Sequence, residues 1–483
     1  MQLFNLPSKA QYYSTNSFKS LIIISCFGCM IYLVCSNFLA PNNTNNKHFH
    51  TSIALQNDDG NSPTQTNLDH VVFGIASNEL SWSKRKEYVK LWWKPNKMRG
   101  CVFLEKMPLF SSNYTNNETD LPPLCISEDT SHFKYTHKGG TSSAIRVARV
   151  VSETVALNHS NVRWFVFGDD DTIFFPENLV KTLSKYDHGF WYYIGTNSES
   201  FMQNKFFSYE MAFGGAGFAI SYPLAKVLAK VFDSCIERYP HLYGSDGRIH
   251  ACLTELGVGL TREPGFHQMD FHGNVFGMLA AHPLRPLVSM HHIEKIDPIF
   301  PNMTTGKALE HLYNAASFDP HRILQQTVCY DRWFSWTVSV SWGYAVQVFN
   351  KNVLFPNVQR VQESYAPWKS SHLGGLYDLD TKKYAFDPCR RQLVYFLDSV
   401  SSGINGTETV YTKQTSDKCK FDMSSPRRLE KIRVLSNKLV LDKKQLLAPR
   451  RHCCNVLLPS ASGNIMEIGI RECKEDELIN MEQ

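Results

Sequence analysis

The sequence has no long run of lysine or arginine, although 50 of its 483 residues are basic. Its net charge at neutral pH is only +5. Dispersed charge of this kind offers no electrostatic footprint for nucleic acid and no polybasic patch for an anionic membrane surface. We therefore expect no nucleic-acid partner. The hydrophobic fraction of 43% is sufficient for one large folded domain and a second unit.

Cys-x-x-Cys spacing is absent beyond residue 40, so a zinc site of the usual spacing is not expected. Three of the thirteen cysteines fall within residues 21–40, and ten follow. An even number of cysteines favours disulfides in an oxidising compartment, but their connectivity does not follow from the sequence. N-glycosylation sequons agree with a secretory route, at Asn42, Asn113, Asn117, Asn158, Asn302 and Asn405.

Residues 21–40 carry no charged side chain, and 20 such residues can cross a hydrocarbon core of about 30 Å. Lys9 and Lys19 precede this stretch, which by the positive-inside rule places the N-terminus in the cytosol. A cleaved signal peptide is the alternative, but the run is long and its end is not a good Ala-x-Ala site. We predict a cytosolic tail, a single transmembrane signal-anchor and a flexible, Asn- and Thr-rich stem, over residues 1–20, 21–40 and 41–68.

Apolar runs typical of buried strands alternate with helical patterns after residue 69. We predict strands at residues 71–76, 101–104, 164–167 and 190–195 and helices from Ser81, over 141–157, 176–186, 221–238 and 247–256. This alternation predicts an α/β sheet with helices on both faces over residues 69–324. Beyond residue 324 apolar and polar residues alternate, as in 333–342 and 346–355, and six cysteines lie there. We predict a smaller β-rich, disulfide-rich domain over residues 325–483.

Three consecutive carboxylates, Asp169, Asp170 and Asp171, follow the apolar run at 164–167. Burying even one carboxylate without a partner costs on the order of several kcal/mol, so a cation is the natural counter-ion. Mn²⁺ or Mg²⁺ suits oxygen ligands and keeps positions open for phosphate. A solvated acidic turn is the alternative. Ligands of open α/β sheets bind at the carboxyl ends of strands, where these residues lie.

Three motifs in this order and spacing resemble the Fringe-like enzymes of glycosyltransferase family 31. They are the Trp-Phe-x-x-x-Asp-Asp-Asp run ending at Asp171, the Gly-Gly-Ala-Gly-Phe element at 214–218 and the Tyr-Gly-Ser-Asp-Gly segment at 243–247. The chain resembles in particular the plant Fringe-related proteins whose region was long labelled a domain of unknown function. The likeness covers about residues 69–324, and the plant subgroup also has a Cys-rich extension like residues 325–483.

The resemblance implies a GT-A fold and a type II protein of the Golgi membrane with a luminal active site. It also implies transfer of a hexose from a UDP-sugar to a glycan or glycoconjugate acceptor, with inversion and most often a β1,3 linkage. Mn²⁺ is the implied cofactor, with Mg²⁺ as the alternative. The sequence leaves open the donor sugar, the acceptor and the oligomeric state.

Roles for the carboxylates follow from the same resemblance. Asp171 is the expected metal ligand, and Asp169 and Asp170 are expected to hold the ribose or donor sugar or to bind the metal through water. Asp246 is the expected base that takes the proton of the acceptor hydroxyl. Its alternative role is to cap the helix that follows. Ser245 stands where the Fringe pattern usually has a second carboxylate, which argues against a shared acidic pair.

A histidine on a late strand is expected as the second metal ligand. The family's spacing after the acidic motif includes both His291 and His292, and we choose His291, with His292 next. His267 and His272 are weaker choices. A lone histidine is more often structural than a ligand, and the chain contains 18.

The expected donor-binding residues are Ala76, Ser77, Gly214, Gly215 and Gly217. The first two end the first strand, where GT-A enzymes meet the uridine. The glycines permit close backbone approach and suit a wall against donor or acceptor, although a strained turn explains them equally well. Lys84 and Arg85 could neutralise phosphate, but solvated helix charges are the more usual role.

Two other classes of function stay open. The run Asp169-Asp170-Asp171-Thr172 partly matches the start of haloacid-dehalogenase-like phosphatases, in which the first Asp is a nucleophile. However, Ile173 stands where those enzymes have Thr or Val, and no Gly-Asp-Asp pair follows. The other class is a non-catalytic luminal glycan-binding protein that keeps the GT-A shape. Mn²⁺-dependent donor hydrolysis would separate an enzyme from such a protein.

Overall fold

The computed structural model describes residues 65–108, 120–369, 375–385, 387–403, 406–413, 419, 425–457 and 464–481. The predicted tail, the transmembrane segment and most of the stem lie outside these ranges. Within the described ranges, no helix is long and apolar enough to cross a membrane. The first turn among the described residues is a 3₁₀ turn at Leu68–His70, which Asn67 caps.

The α-helices of the described residues are named in chain order. They are α1 (Glu79–Trp92), α2 (Ser143–Ala156), α3 (Pro176–Leu183), α4 (Phe201–Phe206), α5 (Tyr222–Ile236), α6 (Ser245–Glu255), α7 (Phe276–Ala280), α8 (Thr305–Phe318), α9 (Phe355–Gln359) and α10 (Lys443–Leu447).

The strands are named in the same way. They are β1 (Val71–Ala76), β2 (Arg99–Leu104), β3 (Leu124–Ile126), β4 (Trp164–Asp169), β5 (Ile173–Phe174), β6 (Tyr193–Gly195), β7 (Phe218–Ser221), β8 (Leu260–Arg262), β9 (Phe271–Gly273), β10 (Ser289–Met290), β11 (Gln326–Tyr330), β12 (Thr337–Ser341), β13 (Ala345–Phe349), β14 (Val361–Glu363), β15 (Tyr365–Pro367), β16 (Thr381–Lys383), β17 (Leu393–Gly403), β18 (Gly406–Lys413), β19 (Lys431–Ser436), β20 (Cys453–Val456) and β21 (Ile465–Arg471).

Seven strands form the first sheet, in the order β3-β2-β1-β4-β7-β6-β8. Strands β1 and β4 are parallel neighbours at its centre, and their register pairs Ala76 with Asp169. Both strands are buried along their apolar residues, as the uninterrupted hydrophobic runs predicted. The carboxyl ends of the two strands therefore meet at one point on the sheet edge, and the acidic run lies there.

Helices cover both faces of this sheet, which confirms the α/β prediction. Alternate residues of β1 point to opposite sides, with Val71 and Phe73 in one hydrophobic cluster and Val72 in another. The cluster around Val72 includes buried residues of α2, α5 and α6, and the cluster around Phe73 includes those of α1 and α8. A buried strand flanked by two helical layers holds its terminal residues rigidly.

Eight strands form the second sheet, in the order β11-β12-β13-β17-β18-β19-β21-β20. Its two edge strands, β11 and β20, are joined by the Cys329–Cys454 disulfide, with the Cα atoms 5.4 Å apart, so the sheet is strongly curved. All ten cysteines beyond residue 40 form disulfides, and the other four pairs are Cys101–Cys125, Cys235–Cys252, Cys389–Cys419 and Cys453–Cys473. The prediction that these cysteines form disulfides is thus confirmed.

One hydrophobic cluster runs from the first sheet into the second. It contains Phe73 and Val166 of the first sheet together with Val340, Tyr395 and Ile432 of the second, all buried. The proposed boundary at residue 325 stays a prediction. The structure adds that residues on its two sides share one core.

Several element boundaries differ from prediction for local reasons. Helix α1 begins before Ser81, because Asn78 accepts a hydrogen bond from the Ser81 amide and is the actual N-cap. The alternating stretch at 333–342 is a strand only from Thr337, since residues before it form a turn. The β-like stretch at 346–355 ends as a strand at Phe349. Strand β6 is shorter than the predicted 190–195 and begins at Tyr193.

Candidate active site

Asp170, the middle residue of the acidic run, is held by three side chains. One carboxylate oxygen accepts hydrogen bonds from the hydroxyls of Ser77, at 2.6 Å, and Ser81. The other accepts from Arg85 Nη1 at 3.0 Å. The Asp170 residue is 3% exposed, so these bonds satisfy a carboxylate that would otherwise be buried without partners. The bonds tie the end of β4 to α1 and to the residue after β1.

Asp171 faces a histidine with one oxygen and an arginine with the other. Its Oδ1 lies 3.1 Å from His291 Nε2, and its Oδ2 lies 3.2 Å from Arg85 Nη1. Burial alone would raise the pKa of Asp171, but the charges of His291 and Arg85 outweigh burial and lower the pKa to about 2. Asp171 is therefore a carboxylate at any physiological pH.

Asp169 completes a three-residue cluster with Asp171 and His291. One ligand atom from each residue lies within 4.8 Å of the other two. The Asp169 side chain faces the cleft and is 41% exposed, with its Oδ2 3.8 Å from His291 Nε2. Partial desolvation, and to a smaller extent the neighbouring carboxylates, raises the pKa of Asp169 despite the opposing effect of His291.

This cluster fits a divalent cation. Two carboxylates and an imidazole are ligands that Mn²⁺ accepts, and three ligands on one side leave positions for phosphate oxygens. His291 Nδ1 is buried and has no hydrogen-bond partner, and Nε2 faces the carboxylates of Asp171 and Asp169 within the cluster. His291 is charged more readily than an ordinary histidine, because the surrounding carboxylates overcome burial and raise its pKa. A bound cation would relieve the same excess of negative charge.

Strand pairing brings His291 to the acidic run. Strand β10 is antiparallel to β5 and pairs Met290 with Ile173, two residues after Asp171. The ring then packs on the glycine turn, where a Cβ added to Gly215 would lie 2.5 Å or less from three ring atoms of His291. Gly215 therefore permits the close approach of His291. The next glycine, Gly217, adopts φ +81° and serves the turn into β7.

His292, the second histidine choice, points away from the cluster. It adopts the left-handed conformation, φ 54°, and its Nδ1 lies 3.2 Å from Asp270 Oδ1. Its ring stacks on Trp368, with 4.3 Å between centroids and 15° between planes. Burial, with the nearby charge of His291, lowers the pKa of His292 although Asp270 opposes the shift. His292 is thus placed as a neutral ring beside the cluster.

The two weaker histidine choices have structural surroundings. His267 Nδ1 lies 3.0 Å from Glu199, and its Nε2 lies 2.9 Å from Nε2 of the buried His282. His272 stacks on Trp368 with 4.8 Å between centroids. Neither belongs to the cluster of Asp169, Asp171 and His291.

Asp246 lies in the first turn of α6 and is not its cap. The N-cap is Gly244, so the capping alternative does not hold. Asp246 Oδ1 accepts a hydrogen bond from Ser245 Oγ at 3.1 Å, and the Gly214 backbone donates a further one to this carboxylate. A Cβ added to Gly214 would lie 2.5 Å from Asp246 Oδ1. Burial raises the pKa of Asp246, whereas the hydrogen bonds and His291 oppose the shift.

Two pockets flank this group of residues. One, of about 430 Å³, is lined by Ala76, Ser77, Arg85, Asp169 and Asp170, and we call it the strand-end pocket. The other, of about 460 Å³, is lined by Asp246, Asp270, His292 and a set of aromatic residues, and we call it the aromatic pocket. A narrow cavity lined by both Asp169 and Asp246 lies between them. The cluster therefore lies where ligands from two pockets can meet.

Trp368 is a site residue that the sequence did not single out, and Arg85 is one whose role as a possible phosphate contact was ranked below a solvated helix charge. Arg85 was expected to be a solvated helix charge, but it bridges Asp170, Asp171 and Glu294. The sequence gave a weak indication that Arg85 lies near the site. It is on α1, eight residues after Ser77, and this helix follows the strand that ends at the site. Trp368 comes from beyond residue 324 and had no signal in the sequence around the acidic run.

Comparison with known families identifies the class. The Fringe-like family model matches residues 114–280, a range that contains the acidic run, the glycine turn and Asp246. This region of the chain is therefore Fringe-like, as the motifs indicated. A second model, described as Protein of unknown function, DUF604, matches residues 203–454, more than half of the chain. The chain belongs to this DUF604 family, and together the matches support a glycosyltransferase.

Solved structures show a weaker likeness. Galactosyltransferase LgtC, in complex with donor and acceptor sugar analogs, is 13% identical with a TM-score of 0.31, over 50% of this chain and 94% of that one. A mannosyltransferase from Pyrobaculum calidifontis, in complex with GDP-Man and Mn²⁺, is 14% identical with a TM-score of 0.23, over 50% of this chain and 70% of that one. No curated protein matches the chain significantly. TM-scores this low do not establish a common fold, so the assignment depends on the family matches.

Proposed function

We propose that this protein is an inverting glycosyltransferase that transfers a hexose from a UDP-sugar to a glycan or glycoconjugate acceptor. The observation that carries the proposal is the convergence of Asp169, Asp171 and His291 on one point, with Asp246 lining the same narrow cavity as Asp169. Such an arrangement suits a donor diphosphate on one side and an acceptor hydroxyl on the other.

The strand-end pocket would hold the donor nucleotide. Ser77 and Asp170 lie at its wall, and the Arg85 guanidinium adds positive charge beside them. Mn²⁺, or Mg²⁺ as the alternative, would be held by Asp169, Asp171 and His291, and when bound it would stabilise negative charge on the diphosphate. Asp246 lines the aromatic pocket and lies next to Gly214 of the glycine turn.

Asp246 would act as the base of a single displacement. The acceptor oxygen forms a bond to the anomeric carbon, the bond from this carbon to the diphosphate oxygen breaks, and UDP leaves with the electron pair. The hydroxyl proton moves to the Asp246 carboxylate. Burial strengthens this base by raising its pKa, and the hydrogen bonds from Ser245 and Gly214 orient it. A single displacement of this kind inverts the configuration of the anomeric carbon.

The proposal includes a single-pass type II location in the Golgi membrane with a luminal active site, as the family resemblance implies. Five disulfides support a route through an oxidising compartment. Both sequon asparagines within the described ranges, Asn158 and Asn302, are exposed and accessible to glycosylation. A β1,3 linkage is likewise proposed from the family alone.

Calorimetric titration of the full-length protein with UDP and UDP-sugars, with and without Mn²⁺, tests the proposal. We expect saturable Mn²⁺-dependent binding that Asp171→Ala abolishes. The matched control is Asp380→Ala, because the Asp380 side chain is 80% exposed and does not belong to the cluster. We expect Asp246→Asn to bind donor but to transfer sugar at least ~100-fold more slowly. Normal transfer by Asp246→Asn would refute the base assignment, and phosphate release from simple phosphoesters without UDP binding would favour the phosphatase.

A further inference from the structure

The aromatic pocket is built from two distant parts of the chain. Helix α4 and the loop before α6 contribute Phe206 and Tyr243, whereas residues beyond 324 contribute Trp368 and Lys369. Lys369 Nζ lies 5.9 Å from the ring centroid of Phe206, so the two parts meet at the pocket. The C-terminal half of the chain therefore supplies part of the surface that surrounds Asp246.

The pairing of two short strands positions Trp368 at the aromatic pocket. Strand β15 is antiparallel to β9, with Ala366 opposite His272. Buried Tyr365 packs on Phe271 with 4.2 Å between ring centroids, which anchors the pairing. Trp368 is the second residue after Ala366. Its ring stacks on His292, the residue that follows His291 of the cluster. Strand pairing and ring packing therefore hold Trp368 in position.

The lining of the aromatic pocket combines exposed rings with buried polar groups. Phe206 is 67% exposed and Tyr243 is 48% exposed, so both rings are accessible to a ligand in the pocket. Gln268 and Asp270 are 6% and 2% exposed and are polar residues of the wall, and both already hold hydrogen bonds within the protein. The C–H face of a pyranose packs on aromatic rings, and its hydroxyls need such polar partners.

We propose that the aromatic pocket binds the pyranose ring of the acceptor glycan and that the segment 365–369, which we call the C-terminal strap, helps to select the acceptor. This inference rests on the proposed function, because Asp246 at the same pocket must meet the acceptor hydroxyl. Phe206, Tyr243 and Trp368 supply the apolar contacts. The strap gives the C-terminal half of the chain a defined task in the reaction.

Saturation-transfer NMR tests the pocket without requiring transfer. The probes are methyl β-glucoside, methyl β-galactoside and methyl β-N-acetylglucosaminide, added to the full-length protein with UDP and Mn²⁺. We expect at least one glycoside to bind and its dissociation constant to rise at least about fivefold in Phe206→Ala and in Trp368→Phe. Phe206→Ala removes a ring that is mostly in solvent, so it carries little risk of unfolding.

Matched controls are Phe190→Ala and Trp333→Phe, at exposed rings outside the pocket. Glycoside binding that Phe206→Ala and Trp368→Phe leave unchanged would overturn the inference, as would the failure of all three probes to bind wild-type protein that binds UDP. Glycoside binding that these variants weaken, in protein with no Mn²⁺-dependent UDP binding, would support the sugar pocket and refute the transferase proposal. The two failures are therefore distinguishable.

Discussion

Gly215→Ala tests whether the glycine turn holds the proposed metal ligand in place. The added Cβ would lie 2.5 Å or less from three ring atoms of His291, whereas ordinary van der Waals contact begins near 3.4 Å. The ring would have to retreat by about 1 Å, and misplacement on this scale costs on the order of 100-fold in catalytic rate. Strand pairing at β10 and burial among the carboxylates leave the ring little room to do so.

We expect Gly215→Ala to lose most Mn²⁺-dependent UDP binding in calorimetry and about 100-fold or more in transfer. The control is Gly306→Ala in α8, where an added Cβ meets no atom within 4 Å and replacing glycine inside a helix is favourable. Circular dichroism and a thermal melt show whether the variant is folded.

A double-mutant cycle identifies the cause of this effect. If the added methyl acts through His291, Gly215→Ala adds little further loss to His291→Ala, because both changes remove the same ligand. Wild-type UDP affinity in a folded Gly215→Ala protein would refute the argument. Fully additive losses would instead mean that the glycine turn acts on the site by another route.

Three further predictions follow from the described residues. Burial raises the pKa of Asp246, and the base acts only when ionised. In a pH–rate profile we therefore expect kcat/KM to fall on acidification through a pKa above the ordinary 3.8. An acid limb at or below 3.8 would contradict this. We expect the exposed asparagines Asn158 and Asn302 to carry N-glycans, so that Asn158→Gln and Asn302→Gln each remove one glycan-sized mass step on a gel; mobility unchanged by both would argue against a luminal location. Replacing Cys329 and Cys454 by alanine should lower the free energy of unfolding by about 2–5 kcal/mol in denaturant titration, because the bridge spans 125 residues and joins the sheet edges; unchanged stability would show that the core closes the sheet without it.

The sequence predicts the central strands well because their physics is local. Strand β1 has the bounds that its apolar run predicted, and β4 contains the predicted run and extends to Asp169. A strand buried on both faces must be apolar at nearly every position, and this requirement is visible in any single sequence. A strand of three residues, such as β15, is too short to show such a pattern. The approach of Trp368 to the site was therefore not predictable.

The two adjacent histidines show a different limit. His291 and His292 are adjacent in the chain, so the sequence makes them almost equally good candidates for a position near the acidic run. The family's spacing did not separate them. The backbone separates them, because the left-handed conformation at His292 turns its ring toward Asp270 while His291 continues from β10 toward Asp171. Backbone conformation at a single non-glycine residue depends on its surroundings, and the sequence does not specify it.

The oxygens of the three carboxylates in the acidic run have different partners, so the three residues have different roles. Both oxygens of Asp170 are occupied by Ser77, Ser81 and Arg85, so this residue can join the coordination of a cation only by giving up those bonds. Asp171 directs one oxygen to the cluster and the other to Arg85. The proposed cation and Arg85 can therefore act on Asp171 together without competing for one atom. In the proposed enzyme the middle carboxylate braces the strand end, and the two outer carboxylates remain free to meet the cation that accompanies the donor.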